Sequence, residues 1–251
     1  MEVLHAWVIN LDRAQERLAR ISARLAALGL PWSRLAAVDA RNLTPEQLAA
    51  LDVAGYRRKH GKEPLLAELG CYLSHWEVMR AFLASPAQYA VIFEDDSRLG
   101  DDLPAVLRGL VEHAGDWDVV KLSGVHSGTP VPVLELDAGH RLAVMLTRCT
   151  GASAYVVNRR AAAAFAEGLL PMSLPYDHIC DQGWRFDLKV RIVTPTPCVH
   201  DDRTESTIGA PPARERNFHW TRRLSTFRYR IGNECRRFAY GLGQLLRAKF
   251  G

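Results

Sequence analysis

The chain has 251 residues, 48% of them hydrophobic and 24% charged, with a formal net charge of +4. That balance suits one large α/β domain or two small ones, and it excludes a disordered or low-complexity chain. Five scattered cysteines with no CxxC pair argue for reduced thiols in a reducing compartment, against a disulfide framework or a zinc cluster.

In chain order, MEVLHAWVINLDRAQERL carries an acid at position 2 and further charges by residue 12, unlike a signal peptide. No apolar stretch reaches the roughly 18–20 residues of a transmembrane helix. HAWVIN reads as a buried strand. DRAQERLARISARLAALG reads as a helix, with Leu18, Ile21, Leu25 and Leu28 at helical spacing, Asp12 as its N-cap and Gly29 as its terminator. SRLAAVDA gives a second strand, so the opening is a βαβ unit, which favours parallel pairing. LTPEQLAAL is a short helix with Thr44 at the N-cap, Pro45 at N1 and Gln47 placed for a capping box. PLLAELGCYLSHWEVMRAFLAS is a long helix, with Gly70 the point at which it would break.

YAVIFEDD is a strand, DDLPAVLRGLVEHA a helix and WDVVKLSG another strand. Residues 126–140 hold Gly, Pro and His and read as an irregular or hairpin segment. GASAYVVNRRAAAAFAEGL gives a strand and a helix, and KVRIVTPTPCV a late strand stopped by two prolines. The expected fold is α/β with a mostly parallel central sheet. In such sheets ligands bind beyond the carboxyl ends of the strands. Polar clusters follow four of these strands: Asn10–Arg13, Asp39–Asn42, Glu94–Asp96 and Lys121–Ser123.

The triplet Glu94-Asp95-Asp96 is the most informative of these. Three adjacent carboxylates repel and raise one another's pKa. Residues i and i+2 of an extended chain share a face, so Glu94 and Asp96 point together and Asp95 away. Two carboxylates on one face suit a hard divalent cation such as Mn²⁺ or Mg²⁺. Alternatively the triplet caps the helix after Gly100. There is no GxxxxGK[ST], GxGxxG, GxSxG or HExxH, so P-loop, dinucleotide-binding, serine hydrolase and zinc protease readings lack motif support.

Taken in order, VINLDRAQERLARISARLAALGL with AVDA, then AELGCYLSHWEVM, VIFEDD, VVKLSG, TGASAYVVNRRAA, LPYDHICD and STIG resemble glycosyltransferase family 25 over about residues 5–209. That family includes bacterial lipooligosaccharide β-galactosyltransferases and collagen hydroxylysine galactosyltransferases. The resemblance implies a GT-A-type, Rossmann-like nucleotide-sugar fold, a UDP-hexose donor (commonly UDP-galactose), Mn²⁺ or a similar ion at the EDD segment, and inversion at the anomeric carbon.

On that footing Asp96 is the first metal ligand, with Glu94 and His200 completing the set, and Glu94 or Asp95 touches ribose or galactose. Asn10, Leu11, Arg13 and Arg17 lie where uridine and diphosphate would sit, and Asp39 accepts from uridine or ribose or else caps the following turn. Glu68 and His75, seven apart on one helical face, line the donor pocket or hold the acidic loop. Lys121 faces the diphosphate or pairs with that loop. Inverting transfer needs a carboxylate base for the acceptor hydroxyl. Asp177, in a P-x-D arrangement, is the first candidate and Asp181 the second, with Tyr176 and Trp184 available to stack on acceptor sugars.

The charge is uneven. Residues 214–251 carry ten Lys/Arg and two acids, whereas residues 1–213 carry 22 basic and 26 acidic residues. The chain therefore divides into a transferase body, 1–213, and a basic amphipathic tail, 214–251, separable from transfer to soluble acceptors. Arg mixed with Phe, Trp, Tyr and Leu suits an anionic membrane surface. With a glycan or glycolipid acceptor this implies a cytoplasmic protein, peripheral at the inner membrane, with no nucleic-acid partner. A non-catalytic sugar-nucleotide, membrane or nucleic-acid binding module is the alternative.

Overall fold

The computed structural model describes residues 3–125, 128–200, 218 and 224–250. The STIG segment, and the boundary drawn at residue 213, lie outside the described residues. Strands β1 (Leu4–Asn10) and β2 (Trp32–Ala36) flank helix α1 (Gln15–Ala27) and pair in parallel, giving the expected βαβ opening. Helices α2 (Pro45–Ala49), α3 (Val53–His60) and α4 (Leu66–Ala84) lead into β3 (Tyr89–Glu94). A short β4 (Ser97–Leu99), α5 (Leu103–Glu112) and β5 (Val119–Lys121) follow, then the hairpin β6 (Pro130–Glu135) and β7 (Arg141–Met145). The chain continues through β8 (Ala154–Asn158), α6 (Arg159–Gly168), α7 (Tyr176–Ile179), α8 (Gly183–Phe186), β9 (Val190–Thr194), β10 (Cys198–His200) and α9 (Leu224–Phe250).

Eight strands form one sheet in the order β2-β1-β3-β8-β5-β9-β7-β6. Six of them run one way, and β7 and β8 run against them, so the sheet is mostly parallel with antiparallel insertions. Alternation along the strands explains the layers. In β1, Leu4, Ala6 and Val8 pack with Ile21 and Leu25 of α1 and with α5, while Trp7 and Ile9 face α4 and α6. In β3, Val91 and Phe93 point to the first layer, and Ala90 and Ile92 to the second. Both faces of the sheet are covered by helices, which is why these strands read as continuous apolar runs.

Local chemistry accounts for most boundaries. Thr44 and Gln47 form the reciprocal capping box at α2. Gly29 takes φ +65° just past α1, a conformation that favours glycine. Two expectations need correction. Asp12 does not cap α1: the helix begins at Gln15 without a side-chain cap, and Asp12 is ion-paired to Arg34 instead. Helix α4 runs unbroken through Gly70, where the missing side chain serves packing. A Cβ there would lie 2.6 Å from the carbonyl oxygen of Val38, so glycine lets α4 approach the segment after β2.

Candidate functional site

The carboxyl ends of β1 and β3 and the segment after β2 open onto a chamber of about 190 Å³. Leu11, Arg13, Arg17, Glu94, Asp95, Asp96 and His200 are among its walls. A second chamber of about 400 Å³ is lined by Lys62, Glu68, Gly151, Tyr176, Asp177 and His178, among others. The two share Cys71, His75, Glu94 and His200.

Each carboxylate of the acidic turn has a different environment. Glu94 continues the β3 alternation toward α4, where its Oε1 lies 3.0 Å from His75 Nε2 and 3.8 Å from Cys71 Sγ. Asp95 turns toward α1, accepting from Asn10 Nδ2 at 2.7 Å and from Arg17 at 3.3 Å. Asp96 lies between Arg17, 3.8 Å away, and His200 Nδ1, 3.4 Å away. Its Oδ1 is buried and has no hydrogen-bond partner among the described residues. All three carboxylates line the first chamber, so Asp95 does not point away from it as simple alternation predicts. The strand ends at Glu94, and beyond it the chain turns.

Strand β10 brings His200 here. It pairs antiparallel with β4, setting His200 opposite Ser97, one residue beyond Asp96. Burial, and then the charge of Glu94, push the Asp96 carboxyl up to about 6. Burial also acts to raise Glu94, but the hydrogen bond and charge of His75 outweigh it and hold this carboxyl below its ordinary value. The Cys71 thiol is pushed up by burial and then by Glu94. An orphaned, buried carboxylate oxygen beside a second carboxylate and an imidazole is a donor set that fits a divalent cation. Cys71, His75 and Glu94 also present one ligand atom each within 4.8 Å of one another.

His75 is the hub of the second chamber's floor. It is buried on α4, its Nδ1 is 2.8 Å from the Tyr155 hydroxyl, and its ring stacks on Tyr176 with centroids 4.0 Å apart. The Tyr176 hydroxyl donates to that of Tyr155 at 2.9 Å. Glu68, Cys71 and His75 all line this chamber, as their spacing on one helix predicts. Glu68 also accepts from the Tyr56 hydroxyl at 2.7 Å and from the backbone N–H of Leu65 at 3.0 Å. Asp177 enters from α7, and its Oδ2 accepts the N–H of Gly151 at 3.2 Å. Gly151 has φ +91°, and a Cβ there would press on Val125.

Several sequence-predicted residues lie elsewhere. Asn10 is buried, with its amide hydrogens bonded to Asp95 and the Ala14 carbonyl and its oxygen bonded to Arg34. It ties β1 to the acidic turn rather than facing a ligand. Asp39 pairs with Arg13 and Arg41 and caps the turn at Ala40–Asn42. Its carboxyl is held down at about 2, first by the Arg41 hydrogen bond. Lys121 is buried, and its Nζ donates to the Cys149 carbonyl at 2.5 Å. It borders a small cavity with Asp181 and Arg237 and lines neither of the two chambers.

Asp181 lines neither chamber and borders the same small cavity as Lys121. It is buried and receives two hydrogen bonds from Arg237 of α9, at 2.8 and 3.2 Å. Asp177 and Asp181 thus have separate surroundings despite their four-residue spacing. Tyr176 is core, and Trp184 packs on Tyr240 and under Arg237, so neither aromatic is free to stack on a sugar. The sequence reading also missed Cys71 at the junction and the Tyr155–Tyr176 support. ELGCYLSH held the first signal, since Cys71 stands on the same helical face as Glu68 and His75.

Fold and site together define an α/β protein whose strand ends present an acidic pocket of two joined chambers. The profile of Glycosyltransferase family 25 (LPS biosynthesis protein) matches residues 3–180, and the chain belongs to that family. A glycosyltransferase 25 family member of Aedes aegypti is 30% identical over 127 residues, 48% of this chain and 21% of that protein. Procollagen galactosyltransferase 2 of Homo sapiens is 29% identical over 122 residues, 45% of this chain and 20% of that protein. A probable inactive glycosyltransferase 25 family member 3 of Rattus norvegicus is 32% identical over 124 residues, 46% and 22% of the two chains. The chain spans about a fifth of the length of these curated relatives. Among solved structures, a glycosyltransferase involved in glycosylation of the major capsid of PBCV-1 aligns over 91% of this chain and 98% of its own. The TM-score of that alignment is 0.35, at 7% identity.

Proposed function

We propose that this chain is an inverting, metal-assisted transferase that moves a hexose, galactose in the leading reading, from a UDP-sugar to a glycan or lipooligosaccharide acceptor. The observation that carries the proposal is the Asp96 Oδ1, buried in the wall of the first chamber without a hydrogen bond, beside Glu94 and His200, which line both chambers. Asp96, Glu94 and His200 would hold Mn²⁺ or Mg²⁺. When bound, the ion would supply positive charge to neutralise a diphosphate leaving group.

In this reading the first chamber takes the nucleotide. Leu11, Arg13 and Arg17 border it, and the two arginines offer cationic donors to uridine or phosphate oxygens. The second chamber takes the acceptor. Asp177, steadied by the Gly151 amide, accepts the proton of the acceptor hydroxyl. The acceptor oxygen forms the new bond to the anomeric carbon as the bond to the diphosphate oxygen breaks, and UDP leaves with the electron pair. His75 keeps Glu94 oriented at the junction. A glycolipid acceptor would place the protein at the cytoplasmic face of a membrane. Among the described residues, no helix is long and apolar enough to cross one.

The test is UDP release from UDP-galactose, with and without Mn²⁺, in wild type and Asp177→Asn. The variant should lose about 10²–10⁴-fold in rate while UDP raises its melting temperature as in wild type. A fully active variant would remove Asp177 as the base. Absence of turnover in wild type, with UDP still binding, would favour a sugar-nucleotide binding module.

A further inference from the structure

Helix α9 is turned inside out relative to an ordinary surface helix. Its buried residues are Thr226, Asn233, Arg237, Gly241 and Gln244, which fall on one side of the helix. They are tied to the body by polar contacts. The Thr226 hydroxyl donates to the Arg58 carbonyl at 3.0 Å, Arg237 pairs with Asp181, and Gln244 accepts from Arg191 at 2.9 Å. At the edge of this face, the Tyr240 hydroxyl donates to the Leu188 carbonyl and accepts the Val190 N–H. The opposite side carries Ile231, Phe238, Leu242, Leu246 and Phe250, exposed by 43% to 77%. At 100° per residue these five fall within one stripe of about 120°. Large apolar side chains gathered in one exposed stripe mark an interaction surface.

We infer that this outer face of α9 is the surface by which the protein docks on an anionic lipid bilayer. The inference rests on the glycolipid-acceptor reading above for its purpose, but not for its geometry. The occupant is chosen by charge. Arg228, Arg236, Arg247 and Lys249 are exposed on or beside the stripe, and over the whole helix six basic residues stand against one acid, Glu234. An apolar stripe bordered by cations matches the headgroup and acyl boundary of an anionic membrane. A second copy of this chain would bring the same basic residues against their equivalents, which is unfavourable.

The position suits the acceptor chamber. The inner face of α9 grips α3 near its end, where Arg230 donates to the His60 carbonyl at 3.2 Å, and grips the segment after α7 through Asp181. His60 and the α7 residues Tyr176–His178 line the second chamber. The docking helix therefore buttresses the walls of that chamber. It also means the tail is not cleanly separable: deleting it would leave Asp181 buried without its cation.

The test uses the full chain and sedimentation with phosphatidylcholine vesicles, alone or mixed with phosphatidylglycerol. Wild type should bind the mixed vesicles at least about tenfold better than the neutral ones, and lose binding as salt rises. Ile231→Ser/Phe238→Ser/Leu242→Ser should lose at least about tenfold in vesicle affinity with its melting temperature retained, since all three positions are exposed. Arg236→Glu/Arg247→Glu, a second variant that leaves the stripe intact, should abolish the anionic preference. Equal binding to both vesicle types, no binding, or unchanged binding by both variants would overturn the inference. So would a wild-type dimer that the serine variant converts to monomer. Vesicle binding without any stabilisation by UDP would sink the transferase reading and leave the docking surface standing.

Discussion

Asp96→Asn separates the cost of the acidic turn from its use. In the free protein, burial and the charge of Glu94 raise the Asp96 carboxyl from about 3.8 to about 6. Its side chain is 15% exposed. A rise of that size corresponds to roughly 3 kcal/mol against the ionised form. The sign follows from which state holds the proton more tightly. The folded state does, so the penalty is absent near pH 4, grows as pH rises from about 4 to 6, and is complete above. Glu94 acts in the opposite sense and in a lower window. Its depressed carboxyl contributes stability above its unfolded value of 4.5, lost as pH falls below it. The assay is thermal unfolding in a chelator at pH 4.5, 6 and 7.5. Asp96→Asn should melt roughly 5–10 °C above wild type at pH 7.5, with the difference shrinking toward pH 4.5. Mn²⁺ should raise the melting temperature of wild type and barely move that of the variant. A variant that melts at or below wild type at pH 7.5, or whose advantage does not depend on pH, would refute the reasoning.

Two other changes test neighbouring parts. Asp181→Ala leaves Arg237 buried without its partner, both side chains being at most 5% exposed. It should cost about 3–5 kcal/mol in denaturant unfolding while turnover per folded molecule is kept; lost turnover at unchanged stability would return Asp181 to candidacy as the base. Gly70→Ala forces a Cβ against the Val38 carbonyl. It should cost about 1–3 kcal/mol and weaken UDP binding, because Val38 and Ala40 form a wall of the first chamber; a variant with native stability and UDP affinity would show that the wall yields freely.

The parts legible in the sequence were those fixed by local periodicity. The β1-α1-β2 unit, the α2 capping box and the apolar run of β3 ending in three acids follow from neighbouring residues alone. So does the grouping of Glu68 and His75 on one face of α4. What was not legible depends on partners distant in sequence. Lys121 looks like a strand-end cation, but its length lets it reach the Cys149 carbonyl in the interior. Asp181 looks like the twin of Asp177 until α9, more than fifty residues on, delivers Arg237. His200 joins Asp96 only because β10 pairs with the three-residue β4, too short to announce itself by alternation. The tail reads as basic and amphipathic, but its pattern does not say which face turns inward. Ordinary burial rules would choose the apolar one, and the polar face wins because Asp181, Arg191 and the ends of α3 and α8 offer it hydrogen-bond partners.

The family includes relatives named as transferases and relatives named as inactive. The rat relative named as probable inactive is 32% identical to this chain, against 29% for the human relative named as a galactosyltransferase. The two identities are alike, so turnover is a question for the site itself. The state of the acidic turn bears on it more directly. A protein that only kept the fold would gain stability by neutralising Asp96 or giving its Oδ1 a donor, and single substitutions suffice for either. This chain instead keeps two close carboxylates, one depressed by His75 and one raised by burial, with an imidazole across the gap. Costs of this kind concentrate at working sites, where the stabilising counter-charge arrives with the ligand. In the second chamber, Gly151 occupies a left-handed conformation, and its amide donates to Asp177. The unneutralised acidic turn of the first chamber and the Gly151–Asp177 contact of the second lie on either side of Glu94, which lines both chambers.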